Sequence, residues 1–152
     1  MLILNIPLFG FAQNDTLRYY HDNGQLWEIG IFKDGKKEGL YKQYHQDGSL
    51  DKTINYKNGL YNGLWTNYRR NENNELVIDE SIYINGRREG TWKMYVGNTL
   101  KTEGYLKNKM KNRIWKYYHD NGQVKTETKW IDDKKIYSKY WDENGTEIEQ
   151  KY

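Results

Sequence analysis

The chain has 152 residues, enough for one ordinary domain and short for two. Only 36% of them are hydrophobic but 16% are aromatic, with 15 Tyr and 6 Trp, which argues against a thick aliphatic core and for a thin sheet of half-buried rings. Lys and Arg total 24 against 21 Asp and Glu, a mild and interleaved excess that reads as solvated surface rather than a nucleic-acid footprint, and the absence of Cys excludes disulfides, thiolate chemistry and cysteine zinc sites.

Residues 1–12, MLILNIPLFGFA, are apolar and uncharged and end on Gly10-Phe11-Ala12, a small-x-small pattern ahead of the polar Gln13-Asn14-Asp15. A stretch of this length is too short to span a bilayer as a helix. It has the character of a shortened secretory signal without its basic leader. The expectation is therefore a single repeat domain over residues 13–152, secreted or held in the periplasm or envelope, and cytoplasmic if the first twelve residues are not a signal.

From there a repeat sets in. Gly24 and Gly48, Gly35 and Gly59, and Gly39 and Gly63 are each 24 residues apart, and a fixed period of this size marks a repeat array. The first unit, residues 15–38, has the turn His21-Asp22-Asn23-Gly24, where an Asn-Gly pair predicts a tight hairpin with positive φ at both residues. The second, residues 39–62, repeats it as His45-Gln46-Asp47-Gly48; its second strand alternates Leu50, Ile54 and Tyr56 with polar residues, one face apolar and one wet.

The third unit, from Gly63, is three residues longer, and the insertion is expected in the turn around Arg69-Arg70-Asn71-Glu72-Asn73-Asn74-Glu75. The fourth runs from Gly90 with a shortened Val96-Gly97-Asn98 turn. The fifth starts at Arg113 and keeps His119-Asp120-Asn121-Gly122, and the last, from Tyr137, retains Trp141 and Asn144-Gly145. Glycines interrupt every window long enough for an amphipathic helix. The predicted fold is all-β: an elongated, curved antiparallel meander of about six β-hairpins without helices in the repeat region.

The units GLYKQYHQDGSL, GLWTNY and GTWKMY, with the linking YKNGLYNG and YINGRREG, resemble the MORN repeat variant of bacterial proteins, including those named YwqK-type antitoxins. The resemblance covers about residues 15–150. It implies successive β-hairpins in a curved sheet, a non-catalytic protein acting by binding and, for the antitoxin branch, neutralisation of a partner toxin. Lys109, Arg113, Asp133 and Tyr137 depart from the pattern where glycines are expected, which puts regular turn geometry in question towards the C-terminus.

His21, His45 and His119 share one repeat column, but successive copies two strands apart lie about 10 Å from each other, too far for a common Zn²⁺. They are expected to be turn residues. Glu28, Glu38, Glu89 and Glu103 sit near Lys or Arg, with no cleft to pair them for acid–base work. No catalytic residue, metal site or cofactor is predicted.

Two aromatic columns remain as candidate sites. One contains Leu17, Tyr41, Trp65, Trp92 and Trp115; the other contains Tyr20, Tyr44, Tyr68, Tyr95, Tyr118 and Trp141. Three residues apart on a strand, they fall on opposite faces. They are either structural ladders of cross-strand contacts or a surface that meets a partner, since Tyr and Trp are enriched at protein interfaces. The expected partner is another protein, a toxin or an envelope component, rather than nucleic acid, and no transmembrane span is expected; the rival reading is a cell-wall or carbohydrate-binding module.

Overall fold

The computed structural model describes residues 15–149, so the signal expected at residues 1–12 lies outside the described residues. Twelve strands follow in chain order: β1 Asp15–Tyr20, β2 Leu26–Lys33, β3 Lys36–Tyr44, β4 Leu50–Lys57, β5 Leu60–Arg70, β6 Leu76–Ile84, β7 Arg87–Val96, β8 Thr99–Lys107, β9 Met110–Tyr118, β10 Val124–Ile131, β11 Lys134–Trp141 and β12 Glu147–Ile148. They pair in sequence order in one antiparallel sheet, and no helix occurs among the described residues. The all-β meander of six hairpins is as predicted. No helix of the described residues is long and apolar enough to cross a membrane.

Two kinds of turn alternate along the two edges. The Asp34-Gly35, Asn58-Gly59 and Asn85-Gly86 turns have positive φ at both residues, the geometry that matches strand twist in a two-residue hairpin. The His-x-x-Gly turns are built differently from the expectation. In His21–Gln25 the Gly24 amide donates to the His21 carbonyl at 2.9 Å and the His21 amide to Gln25 at 2.8 Å, and among these turn residues only Gly24 has positive φ. This is a type I turn closed by a bulge glycine. Asn23 keeps negative φ because its job is done by the side chain: its Oδ1 accepts the Gln25 amide at 3.1 Å.

The insertion in the third unit also lies elsewhere than predicted. The loop of residues 71–75 is no longer than that of residues 45–49, and Asn74, with φ 62°, occupies the place of the bulge glycine. The extra residues lengthen the strands instead: β5 has 11 residues and β6 has 9, against 9 in β3 and 8 in β4. Arg69 and Arg70 point to opposite faces and both remain exposed at the strand end, Arg69 paired with Asp79 at 3.2 Å.

The irregular C-terminal turns keep the positive-φ geometry without glycine. Asn108 and Lys109 have φ of 52° and 70°, Asp132 and Asp133 of 48° and 64°, and Arg113 of 63°. Only the last unit departs, with no positive φ at Ile136 or Tyr137. Conformation is imposed here by neighbours: the Lys109 amide donates to Arg88 O at 3.1 Å and the Asp133 amide to Lys111 O at 2.9 Å, as Gly59 does to Lys37 O at 2.9 Å. A left-handed non-glycine residue costs about 1–2 kcal/mol. Lys109→Gly is therefore expected to stabilise the protein by about 1 kcal/mol after the entropic cost of glycine, read as a higher urea midpoint. Asp133→Gly should gain less, because Asp133 Oδ1 also accepts the Lys111 amide at 2.6 Å.

Candidate partner-binding face

Register assigns each side chain to a face. Trp65 lies opposite Ser81 and Tyr68 opposite Ile78 on an unbroken β5–β6 ladder, so the two aromatic columns are on opposite faces. Tyr41, Trp65, Trp92 and Trp115 share one face with Ile54, Tyr56, Tyr61 and Tyr83, which we call the aromatic face. Tyr44, Tyr68, Tyr95 and Tyr118 lie on the other, all half-buried. Edge-to-face contacts link Tyr41, Tyr56, Tyr61 and Tyr83 at centroid distances of 4.9, 5.0 and 5.3 Å. One layer of rings thus buries itself strand against strand.

Tyr41 and Trp115 are the anchors, 0% and 4% exposed. Each lies flat over a strand glycine and sends its polar tip to the following carbonyl. Tyr41 covers Gly30 and donates its hydroxyl to Ile31 O at 2.6 Å; Trp115 covers Gly104 and donates Nε1 to Tyr105 O at 3.2 Å. A Cβ on Gly30 or Gly104 would come within 2.4 or 2.2 Å of the ring. Trp92 then stacks on Trp115, centroids 5.3 Å apart. Trp65 and Trp92 remain half-buried. The sequence does contain this signal: Gly30 and Gly104 are strand glycines off the turn columns, where glycine marks close approach.

A second feature was missed by sequence reading, a column of cations beside the rings. Lys37 Nζ lies 4.6 and 5.1 Å from the Tyr41 and Tyr56 ring centres, the Arg88 guanidinium 5.9 Å from Trp65, and Lys111 Nζ 4.7 and 4.9 Å from Trp115 and Trp130. These residues stand two positions before Gly39, Gly90 and Arg113, with Tyr61 in the same place before Gly63. Their neighbourhoods differ. Lys37 pairs with buried Glu28 at 2.7 Å, and Gln43 donates to the other Glu28 oxygen at 2.5 Å. Arg88 instead donates to Ser81 Oγ at 2.6 and 2.9 Å, and among the described residues Lys111 Nζ has only the Tyr117 hydroxyl at 3.5 Å.

Between these cations the aromatic face holds an open groove of about 650 Å³. Trp65, Trp92, Trp115 and Met94 line it together with Arg88 and Lys111. Its size is in the range of ligand sites, but its floor is a sheet surface rather than an enclosed cavity.

The opposite face carries a ladder of alternating charge in its C-terminal half. Glu80, Lys93, Glu103, Lys116, Glu127 and Lys139 stand directly opposite one another across successive strands. Within this ladder Lys93–Glu103 and Lys116–Glu127 approach to 3.9 and 3.2 Å. Tyr118 donates to Glu103 at 2.6 Å, and burial first, then that hydrogen bond, raise its pKa.

Three of the four carboxylates considered for catalysis, Glu28, Glu38 and Glu103, are engaged structurally. Glu28 holds Lys37 and Gln43, Glu38 accepts the Asn58 amide at 2.7 Å, and Glu103 belongs to the ladder. His45 lies 3.7 Å from Asp51 of its own unit, whereas the other two histidines tie one repeat to the next: a ring nitrogen of His21 contacts Tyr44 O at 2.8 Å and that of His119 contacts Trp141 O at 2.9 Å. Asn23 and Asn121 do likewise, donating to Gln46 O and Glu143 O.

Burial raises the Tyr41 hydroxyl to about 12, with the Glu28 carboxylate adding to the effect, and raises Tyr56 also. In the unfolded chain a tyrosine ionises near 10. The unfolded state thus releases its proton first, and stability from these groups, complete below pH about 10, declines as pH rises through about 12. Absorbance at 295 nm should show the Tyr41 and Tyr56 hydroxyls ionising together with unfolding.

Comparison with known families now bears on this architecture. The MORN repeat variant model matches residues 16–34, 37–58 and 114–132. These MORN-variant segments coincide with the hairpins β1–β2, β3–β4 and β9–β10, the three that carry His21, His45 and His119 in their turns. The β5–β6 and β7–β8 hairpins continue the same sheet with Asn71 and Gly97 at the turns. No curated protein matches the chain.

Proposed function

We propose that the protein is a non-catalytic MORN-variant binding module that engages another protein through the aromatic face. The observation that carries this reading is the contrast between the faces. The charged ladder pairs Lys93 and Lys116 with carboxylates, while the aromatic face leaves a groove with half-buried Trp65 and Trp92 and with Arg88 and Lys111 without carboxylate partners among the described residues. Tyr, Trp and Arg concentrated in one partly desolvated patch are the composition of protein-interaction hot spots. A toxin partner, as for the YwqK-type antitoxins, is the finer form of this proposal, and export by residues 1–12 would place the encounter at the cell envelope.

The carbohydrate reading is less favoured by the ring geometry. Sugar stacking needs an open ring face, whereas Trp115 is covered by Trp92, Gly104 and Lys111. A photo-crosslinking residue at Met94, inside the groove, compared with one at Thr53 on the other face, tests the proposal in the producing cells. A discrete protein adduct from Met94 and not from Thr53 is expected. Absence of a protein adduct from Met94, or retention of the protein on cell-wall glycan, contradicts it.

A further inference from the structure

We infer that the groove over Trp65, Trp92 and Trp115 takes an acidic peptide segment with an apolar side chain, its carboxylates meeting Arg88 and Lys111. This rests on the protein-binding reading above and adds the chemistry of the partner.

The repeat supplies its own comparison. At Lys37 the cation lies over two rings and is neutralised by Glu28, a carboxylate delivered from the neighbouring strand. Arg88 and Lys111 occupy the same repeat position over Trp65 and Trp115, but the counterparts of Glu28 do not serve them. Asp79 is committed to Arg69 at 3.2 Å, and the next counterpart is Thr102. Asp133, at the groove rim, accepts the main-chain amide of Lys111. Lys109 adds a third cation to the lining.

Both cations are half-buried, so each is partly stripped of water without gaining a counter-ion among the described residues. A carboxylate placed there forms charge-assisted hydrogen bonds, bidentate in the case of Arg88. Adjacent copies of the column are two strands, about 10 Å, apart. In a peptide with three residues per turn of polyproline II geometry, residues three positions apart lie on the same side and are separated by about 9 Å. Met94 and the exposed parts of Trp65 and Trp92 offer the intervening apolar contact, methionine being adaptable to different side chains. An acidic peptide with two carboxylates three positions apart and an apolar residue in the interval therefore fits both the charge and the spacing.

The test uses the full chain and a fluorescent peptide of Glu and Asp with one central Leu or Phe, followed by anisotropy. Binding is expected, weakening about tenfold or more in Arg88→Gln/Lys111→Gln and in Met94→Glu, with circular dichroism confirming that both variants fold. Met94→Glu introduces a repelling charge without removing a hydrogen bond of the fold, so one variant remains informative if the other unfolds. A Lys-rich version of the peptide should not bind. Equal affinity for acidic and basic peptides, an unchanged affinity in folded variants, or preference for a heparin oligosaccharide over the peptide would overturn the inference. If the acidic peptide fails while Met94 still crosslinks to a protein, the partner chemistry is wrong and the binding face stands; if neither occurs, both fall.

Discussion

Gly104→Ala is expected to lower stability by about 3 kcal/mol, although it adds a single methyl group. The new Cβ would lie 2.2 Å from Cδ2 of Trp115, on the rigid fused ring rather than at the end of a flexible chain. The indole would have to tilt, losing its stack on Trp92 and its hydrogen bond to Tyr105 O together. Thermal unfolding should shift downward by roughly 10 °C for a chain of this size. Gly30→Ala should behave alike through Tyr41, whereas Gly24→Ala, with no atom within 4 Å of the added Cβ, should lose only the preference of its positive φ. Gly104 has no positive φ, so a loss there no larger than at Gly24 would show that the ring seat does not set the cost.

Trp115→Ala is expected to cost about 3–5 kcal/mol, the range for removing a buried large aromatic. Trp115 is 4% exposed, stacked on Trp92 and covered by the Lys111 ammonium. Trp65→Ala should cost less, because that ring is already half-exposed. In a sheet where each strand touches only its sequence neighbours, the damage should remain local. Amide exchange should therefore accelerate in β8–β10 more than in β3–β4, where the Tyr41, Ile54 and Tyr56 cluster is intact. Uniform acceleration along the chain would mean the sheet unfolds as one unit.

Much of this architecture was legible in the chain. The 24-residue spacing of Gly24, Gly35 and Gly39 with their successors gave the hairpins, and the three-residue step from Trp65 to Tyr68 gave the two faces. Turn details were less legible. Asn23-Gly24 and Asn58-Gly59 look alike as dipeptides, but one closes a type I turn with a bulge and the other a two-residue turn; loop length, set by strand pairing, decides between them. Lys109 and Asp133 adopt left-handed backbone because the preceding repeat supplies a carbonyl for each amide, an influence from 20-odd residues away that local propensity does not contain.

The site was legible only in part. The aromatic columns were visible as periodic Trp and Tyr, but their unequal burial depends on Gly30 and Gly104 across the ladder. The cations were hidden because Lys and Arg are common in every unit, and only register shows that Lys37, Arg88 and Lys111 stand over rings while Lys93 and Lys116 stand over carboxylates. That difference separates a surface already paired from one that is not.

The most direct measurement is the affinity of the protein captured from Met94 for two double variants, each verified as folded. Arg88→Gln/Lys111→Gln removes two ring-facing cations that have no carboxylate partner among the described residues, and Lys93→Gln/Lys116→Gln removes the same charge from the ladder face. Loss of binding in the first and near-native binding in the second is the predicted result. Near-native binding in the first with loss in the second would contradict the assignment of the aromatic face as the binding surface.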